Sequence, residues 1–367
     1  MSEWVKLTDI CTPKQWKTIS TSELLKDGYP VYGANGIIGY YNQYNHESET
    51  VLITCRGATC GEVNISLPKS YINGNAMCLD NLKTECCLKY IYYYLKYYDF
   101  TQVISGTAQP QITISGLTKV ELPLFSIEKQ KKIAQNLDKL IHLIDLCNSI
   151  LYRLDLLVKS RFVEMFGDPE TNPKNWNKTP LSEIIITANN GMARRGNDED
   201  GSIVMRLVEL QDGYIDYSNP NRIKLSDTEK KRYLLQDKDF LFARVNGNPE
   251  NVGRCAVFHD IGEPVYHNDH IIRVHFDEEV FDGIFASSLL NSDYGKRQLK
   301  SQIKTSAGQY TVSQDGIGAI VAILPLMKYQ RQFAGFVEQT DKSKLAVKKV
   351  LEKAETLKKA LMQEYFG

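Results

Sequence analysis

Apolar residues recur at three- and four-residue spacing in two long stretches of the chain. The first stretch contains Ile133, Leu137, Leu140, Ile144, Cys147, Ile150, Leu151, Leu154, Leu157 and Val158, and the second contains Phe333, Val337, Val347, Val350, Leu351, Ala354, Leu357 and Leu361. This spacing predicts two amphipathic helices. Because an apolar stripe sustained over about five heptads is typical of coiled coils, the two helices are expected to pair with each other. Pro123 and Pro325 lie just ahead, where a helix can begin but not continue.

The two stretches are copies of one segment. Residues 122–134 are LPLFSIEKQKKIA and residues 324–334 are LPLMKYQRQFA. From Gln130, matched to Gln330, the register holds at an offset of 200 for 38 residues without a gap and ends on Phe-Gly in both copies. At 1.5 Å per residue such a segment would be a rod of roughly 57 Å. Two unrelated helices, each packed on its own domain, are the alternative, but the equal lengths argue against it.

The regions outside the repeat have a mixed, mostly β pattern. Strand-like runs lie at 51–54, 112–114, 203–207, 239–243, 256–258 and 271–276, and helical patterns lie at 88–98 and 281–299. Residues 167–173 are rich in Gly, Pro and Asn and predict a linker. The chain is therefore predicted to be an α+β protein with two mixed domains, at 1–125 and 168–325, and two helices, at 126–167 and 326–367.

Charge does not favour strong DNA binding by the chain alone. The 367 residues include 44 basic and 44 acidic side chains, which excludes a uniformly basic nucleic-acid coat. Basic and acidic groups number 10 and 11 in residues 1–125, 7 and 5 in 126–166, 18 and 23 in 167–325, and 9 and 5 in 326–367. A DNA-binding function would thus need local basic patches, or a partner that supplies part of the electrostatic attraction.

Local patches with suitable chemistry are present. Arg194 and Arg195 lie between two glycines, Arg244 precedes Asn246 and Asn248, and Arg56 is followed by a glycine. Arginine reads guanine, and asparagine or glutamine reads adenine, through paired hydrogen bonds to base edges. Any one of these arginines could equally be a solvated surface charge or an ion-pair partner.

Known catalytic motifs are missing from the sequence. It contains no G-x-x-x-x-G-K-[ST], no H-E-x-x-H, no G-x-S-x-G and no cluster with metal-ligand spacing. The Asn-Pro-Pro-aromatic motif of amino-methyltransferases is also missing. The sequence begins without a secretory signal, and its longest apolar run, 317–324, is too short to cross a bilayer. We therefore expect a non-catalytic protein without a metal site or a membrane segment.

A family resemblance rests on what precedes each helix. Gly106-Thr107-Ala108-Gln109-Pro110-Gln111-Ile112 and Ala307-Gly308-Gln309 come before the two Leu-Pro-Leu segments, and Trp4 and Trp176 fit the starts of the two domains. Together with Tyr32-Gly33-Ala34-Asn35-Gly36 and Arg56-Gly57, this arrangement resembles the specificity subunit of a type I restriction–modification system. The resemblance covers essentially the whole chain.

The resemblance implies two target-recognition domains separated by two long helices, which form an antiparallel coiled coil with a pseudo-two-fold internal repeat. Each domain would read one half of an asymmetric, bipartite site in double-stranded DNA, and the helices would fix the distance between the halves. Two modification subunits would dock on the helices and restriction subunits would join them. S-adenosylmethionine, ATP and Mg would be bound by those partners and no cofactor by this chain, which would act in the cytoplasm. A free-standing coiled-coil DNA-binding regulator is the alternative; it would bind its site alone with a steep salt dependence, which the weak net charge disfavours.

Candidate DNA contacts combine the Gly-flanked basic patches with the residues of the resemblance. They are Tyr32, Asn35, Arg56, Thr107, Gln109 and Gln111 in the first domain and Arg194, Arg195, Arg244, Asn246, Asn248 and Gln309 in the second. Gln109 and Gln309 occur in both repeats, so they are expected to hold phosphates or local structure rather than to specify bases.

Overall fold

A computed structural model describes residues 3–33, 35–106, 109–306 and 308–367. It divides into two compact units. Unit 1 comprises residues 1–149 with 347–367, and unit 2 comprises residues 150–346. Each unit therefore contains one mixed domain together with a part of each long helix.

The elements of unit 1 are short strands with a few helices. The strands are β1 (Glu3–Lys6), β2 (Thr12–Gln15), β3 (Tyr29–Gly33), β4 (Gly36–Tyr41), β5 (Val51–Thr54), β6 (Val63–Ile65), β7 (Tyr71–Ile72), β8 (Ala76–Asp80), β9 (Ile104–Ser105), β10 (Gln111–Ile112) and β11 (Glu121–Leu124). The helices are α1 (Leu7–Ile10), α2 (Leu88–Tyr97), α3 (Ile114–Leu117) and α4 (Ile127–Phe166), whose last residues belong to unit 2.

The elements of unit 2 follow a closely similar order. The strands are β12 (Asn177–Pro180), β13 (Ile185–Asn190), β14 (Ser202–Met205), β15 (Arg222–Ile223), β16 (Phe240–Ala243), β17 (Val245–Asn246), β18 (Cys255–Val257), β19 (Val265–His267), β20 (Ile271–Phe276), β21 (Lys304–Ser306), β22 (Gln309–Thr311) and β23 (Val321–Leu324). The helices are α5 (Asp227–Tyr233), α6 (Gly283–Leu290), α7 (Asp293–Ser301), α8 (Gln314–Gly318) and α9 (Met327–Phe366), whose last residues belong to unit 1.

The two units have the same sheet topology. The order β2-β8-β5-β6 in unit 1 corresponds to β13-β20-β16-β18 in unit 2, and β4-β3-β7 corresponds to β15-β14-β19. Both three-stranded sheets contain one parallel pair, β3 with β7 and β14 with β19. The pair β1-β11 likewise corresponds to β12-β23. The internal duplication therefore extends through the mixed domains, where the sequences have little in common.

The two long helices confirm the predicted repeat. Both α4 and α9 contain 40 residues, and their bounds differ by 200 at each end. They begin three residues before the stretch whose register the sequence repeats from Gln130. An apolar stripe on each helix packs against the mixed domains and against the other helix, as the spacing predicts.

Each unit pairs the beginning of one long helix with the end of the other. In unit 1, Ile133 and Leu137 of α4 lie in the same apolar core as Phe366, the last residue of α9. In unit 2, Phe162 and Phe166 near the end of α4 contact Phe333 in the first turns of α9, with ring centroids 5.5 Å apart in both cases. The helices are therefore antiparallel, as predicted.

Three predicted elements are wrong in their bounds. The strand predicted at 203–207 ends at Met205. The strand predicted at 112–114 ends at Ile112, and the hydroxyl oxygen of Thr113 then caps α3 by accepting a hydrogen bond from the Gly116 N–H at 3.1 Å. The single helix predicted at 281–299 is divided into α6 and α7. There the hydroxyl oxygen of Ser292 accepts a hydrogen bond from the Gly295 N–H at 3.3 Å and starts a new helix. Serine and threonine are favoured at such caps because their oxygens satisfy backbone N–H groups that lack a partner in the helix.

Candidate nucleic-acid interface

A short hairpin in unit 1 brings together residues that are far apart in the sequence. Strands β9 and β10 pair with each other, and β10 continues alongside the end of β5. The Ile112 N–H donates to the Cys55 carbonyl at 3.0 Å, and the Gly57 N–H donates to the Pro110 carbonyl at 3.2 Å. Arg56 and Gln111 consequently lie opposite each other in a β-bridge, and both side chains are exposed.

The loop that leads into this hairpin requires a glycine. Gly106 has a φ of +88°, and a Cβ on it would lie 2.6 Å from the Gln109 carbonyl oxygen. Both features exclude a side chain at position 106. Gln109 is exposed on the same loop. Thr107, which the sequence also proposes as a DNA contact, lies outside the described residues.

Unit 2 contains the equivalent hairpin. Strands β21 and β22 pair with each other, and β22 also pairs with β17, so that Asn246 lies opposite Tyr310. The Val312 N–H donates to the Arg244 carbonyl at 2.9 Å, as the Ile112 N–H does to Cys55 in unit 1. Arg244, Asn246 and Gln309 are therefore brought together at this hairpin.

Asn35 and Tyr32 lie on the β3–β4 hairpin but in different surroundings. Asn35 is exposed, and its side-chain oxygen accepts a hydrogen bond from the hydroxyl of Thr59 in the loop that follows Arg56. Tyr32 is only 7% exposed, and its hydroxyl oxygen accepts a hydrogen bond from the Leu67 N–H at 3.1 Å. In this position the Tyr32 side chain supports the hairpin from inside the domain, whereas Asn35 is accessible and contacts the loop that follows Arg56.

The paired arginines of unit 2 are held by carboxylates. Arg194 Nη1 lies 3.1 Å from Glu229 Oε2, and Arg195 Nη2 lies 2.7 Å from Asp269 Oδ1. Hydrogen bonds from the backbone and side chain of Ser226 lower the pKa of Glu229, and Arg194 lowers it further. Glu229 is thus a stable anion that holds Arg194 in place.

Arg195 and Arg244 converge on one short segment. Arg195 Nη2 donates to His270 Nε2 at 3.0 Å, and Arg244 Nη1 donates to the Asp269 carbonyl at 3.0 Å. Burial lowers the pKa of His270, and the two arginines add to this effect while Asp269 opposes it. A neutral imidazole at this position is consistent with its acceptance of the Arg195 hydrogen bond.

The amide oxygens of Asn246 and Asn248 are used within their own loop. Asn246 Oδ1 accepts a hydrogen bond from the Asn248 N–H at 2.9 Å, and Asn248 Oδ1 accepts one from the Glu250 N–H at 3.1 Å. Their amide N–H groups have no partner among the described residues and are the groups left to contact a ligand.

The structure also places here residues that are not among the candidate contacts. Lys304, Asp269, His270 and Asp315 all lie within or beside the hairpin region of unit 2. A Tyr-x-Asn sequence occurs in both units, at Tyr71–Asn73 in unit 1 and at Tyr266–Asn268 in unit 2. In unit 2 it directly precedes Asp269. That short match could have identified the two segments as equivalent.

One group of side chains in the described part of the chain offers metal-ligand atoms. His46, Cys78 and Asp80 place one such atom each within 4.8 Å of one another. His46 Nε2 is already hydrogen-bonded to Asp80 Oδ1 at 2.9 Å, and Trp16 Nε1 donates to the other oxygen of Asp80 at 3.1 Å. Cys78 is buried in an apolar cluster. The polar atoms of this group therefore complete one another's hydrogen bonds, and the sequence-based expectation of a chain without metal stays a prediction.

The described residues thus form two mixed domains, each with an exposed hairpin, and two 40-residue helices. Residues 1–155 match the type I restriction modification DNA specificity domain. This match covers 155 of the 367 residues.

Individual relatives are similar to the chain over a longer stretch. The chain is 30% identical over 233 residues to the type I restriction enzyme StySPI specificity subunit of Salmonella potsdam, a match over 60% of this chain and 50% of that relative. It is 24% identical over 234 residues to the EcoKI specificity subunit of Escherichia coli strain K12, with the same coverage. The chain thus spans about half the length of these curated relatives.

Solved structures share the fold. The specificity subunit from M. genitalium aligns with a TM-score of 0.67 at 18% identity over 100% of this chain and 96% of its own. A chain from a structure on complex assembly and conformational transition of the type I restriction–modification system aligns with a TM-score of 0.54 at 13% identity, over 99% and 97%. Among the described residues, no helix has a segment long and apolar enough to cross a membrane.

Proposed function

We propose that this chain selects the DNA sequence on which a type I restriction–modification complex acts, with each unit reading one half of a bipartite site. The observation that carries the proposal is the duplicated topology combined with different side chains at the equivalent hairpins. Unit 1 exposes Arg56 and Gln111 there, whereas unit 2 presents Arg244, Asn246 and Gln309. Two similar frames with different polar groups are suited to two different half-sites, because base edges are distinguished by their donor and acceptor patterns.

The candidate contacts are best placed in two groups. Asn35, Arg56, Gln109 and Gln111 form the accessible set of unit 1. Arg56 forms no ion pair with any described residue, so its guanidinium is available to a base or a phosphate. In unit 2, Arg194 and Arg195 would exchange their carboxylate partners for DNA phosphates, which bind arginine through similar paired hydrogen bonds.

The long helices would carry the partner proteins. In unit 2, α4 exposes Tyr152, Leu156 and Val163, at spacings of four and seven residues, with 64%, 42% and 56% of their surfaces accessible. These spacings place the three side chains on one face of the helix. We assign this face to one of two modification subunits, which would bind S-adenosylmethionine and methylate adenine. Restriction subunits that use ATP and Mg would join the same complex on cytoplasmic DNA.

A methylation assay tests the proposal. The chain is incubated with DNA and labelled S-adenosylmethionine, alone and together with the modification subunits of the same system. Label should enter DNA only when both proteins are present, and only at one sequence. Methylation by the chain alone, or sequence-specific methylation by the modification subunits without it, would refute the proposal.

A domain exchange tests independent reading by the two units. Residues 1–125 are replaced by the same region of another specificity subunit, and the methylated sites are sequenced. One half-site should change while the other is kept. A change in both halves would show that the units do not read DNA separately.

A further inference from the structure

Unit 2 has a polar recess beside its hairpin. The recess has a volume of about 310 Å³ and is lined by Asn190, Arg244, Lys304, Thr311, Val312, Ser313, Gln314 and Asp315. Its walls are formed by the ends of β13 and β16, by the β21–β22 hairpin and by the start of α8. One of the sequence-predicted contacts, Arg244, therefore lines the recess.

The recess combines fixed donors with an acceptor. The Arg244 guanidinium is held through Nη1 by the Asp269 carbonyl, and its remaining N–H groups have no partner in the part of the chain that the structure describes. Lys304 and Asp315 are exposed and form no ion pair with any described residue. Asn190 Oδ1, by contrast, already accepts a hydrogen bond from Gln314 Nε2 at 3.2 Å. The available groups are thus two cations and one carboxylate.

The equivalent position in unit 1 lacks this chemistry. Cys55 takes the place of Arg244: its N–H donates to Asn75 and its carbonyl accepts from Ile112, just as the backbone of Arg244 does with His270 and Val312. The Cys55 side chain is fully buried. At the offset of 200, Lys304 and Asp315 correspond to Ile104 and Ser115. The charged groups of the recess are therefore specific to unit 2.

We propose that this recess reads a G·C base pair in the half-site of unit 2, with Arg244 and Lys304 donating to guanine O6 and N7 and Asp315 accepting from cytosine N4. This inference rests on the proposed function. Arginine and lysine are the usual partners of guanine in the major groove, and aspartate can accept from the cytosine amino group. A DNA phosphate would fit the two cations but would be repelled by the carboxylate. The mixed set of charges therefore favours a base pair over the backbone.

Base analogues test the inference without altering the protein. The chain is combined with its modification subunits, and the methylated site is mapped first. Each guanine of the site is then replaced in turn by 7-deazaguanine, which lacks the N7 acceptor. Methylation should fall about tenfold or more at one guanine in one half-site, because a paired arginine–guanine contact discriminates by this order of magnitude. If only uncharged methylphosphonate linkages, and no 7-deazaguanine, reduce the rate, the recess binds a phosphate and the inference is wrong.

Variants connect that guanine to the recess. Arg244→Ala and Arg244→Lys should remove the sensitivity to 7-deazaguanine and relax the base requirement at that position alone. Thermal unfolding shows whether Arg244→Ala folds. If it does not fold, Arg244→Lys, which keeps the positive charge, is tested in its place. Arg232→Ala is the matched control, because Arg232 is an exposed arginine on α5 outside the recess. It should leave the base requirement unchanged.

Failure of the inference and failure of the proposed function give different results. If the complex methylates no specific sequence, the proposed function fails and the inference fails with it. If it methylates a specific sequence whose guanines are all insensitive, or whose sensitivity survives in the Arg244 variants, only the inference is overturned.

Discussion

Gln130 and Gln330 lie 200 residues apart and make the same three hydrogen bonds. Gln130 Oε1 accepts from the Cys87 N–H at 2.8 Å, and its Nε2 donates to the carbonyls of Glu85 at 3.0 Å and Phe125 at 2.8 Å. The side chain is fully buried. It connects the first turns of α4 to the residue that precedes α2.

The second copy reproduces this arrangement in unit 2. Gln330 Oε1 accepts from the Asp282 N–H at 2.9 Å, and its Nε2 donates to the carbonyls of Val280 at 3.0 Å and Pro325 at 2.7 Å. Asp282 directly precedes α6, as Cys87 precedes α2. Each glutamine therefore fixes a long helix to the mixed domain of its own unit.

Replacing either glutamine by leucine should destabilise its unit. In Gln130→Leu, the Cys87 N–H and two carbonyls lose a partner inside the protein, and an unpaired buried polar group costs about 1–3 kcal/mol. We expect a loss of about 2–4 kcal/mol in the free energy of unfolding, measured by denaturant titration with probes in unit 1. Gln135→Leu, at an exposed position of the same helix, is the control and should change the value by about 0.5 kcal/mol at most. Equal effects of the two variants would show that the hydrogen bonds do not matter.

The terminal phenylalanine of each long helix should be essential for stability. Phe366 is 5% exposed, and its ring packs against Tyr90 and Tyr94 of α2 with centroids 5.5 and 5.6 Å away. Phe366→Ala should cost about 3–5 kcal/mol, the usual range for removing a buried aromatic ring. Thermal unfolding measures the effect, and Leu357→Ala, on an exposed residue of the same helix, should change stability far less. A Phe366→Ala protein as stable as the parent would mean that the helix end is not part of the core.

A glycine within α9 should be replaceable with a gain in stability. Gly335 is exposed, and a Cβ on it would meet no heavy atom within 4 Å. Since glycine in a helix interior is about 0.5–1 kcal/mol less favourable than alanine, Gly335→Ala should raise the free energy of unfolding by that amount. Gly191→Ala provides the contrast: its Cβ would lie 2.2 Å from the Asn268 carbonyl oxygen, so the variant should be destabilised. Denaturant titration of both proteins decides the point.

The stability of unit 2 should fall in mild acid. Burial lowers the pKa of His267 to about 4, and the positive charge of Arg273 contributes. His267 Nδ1 donates to the Tyr233 carbonyl at 3.2 Å, while Nε2 has no partner among the described residues. The unfolded chain, with an ordinary histidine pKa near 6.5, binds a proton that the folded chain excludes. The contribution of neutral His267 to the stability of unit 2 is therefore complete above about pH 6.5 and is lost as the pH falls toward 4.

This loss should be at most about 3 kcal/mol, the free-energy equivalent of the difference between the two pKa values. Unfolding of unit 2 measured between pH 7 and pH 4 tests it. His267→Asn, which cannot be protonated in this range, should have a flatter profile. An unchanged slope in the variant would assign the acid sensitivity to other groups.

Under the proposed function, helix length should set the gap between the half-sites. Deleting seven residues, which is about two turns, from α4 or α9 removes roughly 10 Å of helix. The methylated sites should then have a shorter gap, or methylation should be lost. Sequencing the methylated DNA measures the gap, and an unchanged gap would contradict a role of the helices as a spacer.

The repeated helices could be predicted in detail because a long apolar periodicity is a local signal. The bounds of α4 and α9 lie within three residues of the repeat that starts at Gln130, and the strands at 51–54 and 271–276 agree with their predicted ranges. The α6–α7 break was missed because Ser292 interrupts the helix through a cap while the apolar spacing continues. A cap acts at a single residue. The apolar periodicity is a pattern averaged over many residues, so it does not reveal a break at one of them.

The candidate site was predictable only in part. Arg56 and Arg244 could be selected from the sequence as candidates. The sequence could not show that Tyr32 faces the interior or that Arg195 is paired with Asp269. These facts depend on tertiary contacts between residues that lie 35 positions apart for Tyr32 and Leu67 and 74 positions apart for Arg195 and Asp269. Lys304 is not among the candidate contacts for the same reason, since only the pairing of β21 with β22 places it beside Arg244.

The carboxylates that hold Arg194 and Arg195 have a thermodynamic consequence for association with DNA. An arginine released from a carboxylate leaves behind an anion, which recruits a cation from the buffer while DNA gives one up. The uptake of cations at Glu229 and Asp269 then partly cancels the release of cations from DNA. The logarithmic dependence of affinity on salt concentration would therefore report fewer phosphate contacts than the complex makes. Substituting these two acids by amides would make the dependence of affinity on salt concentration steeper without adding a contact to DNA.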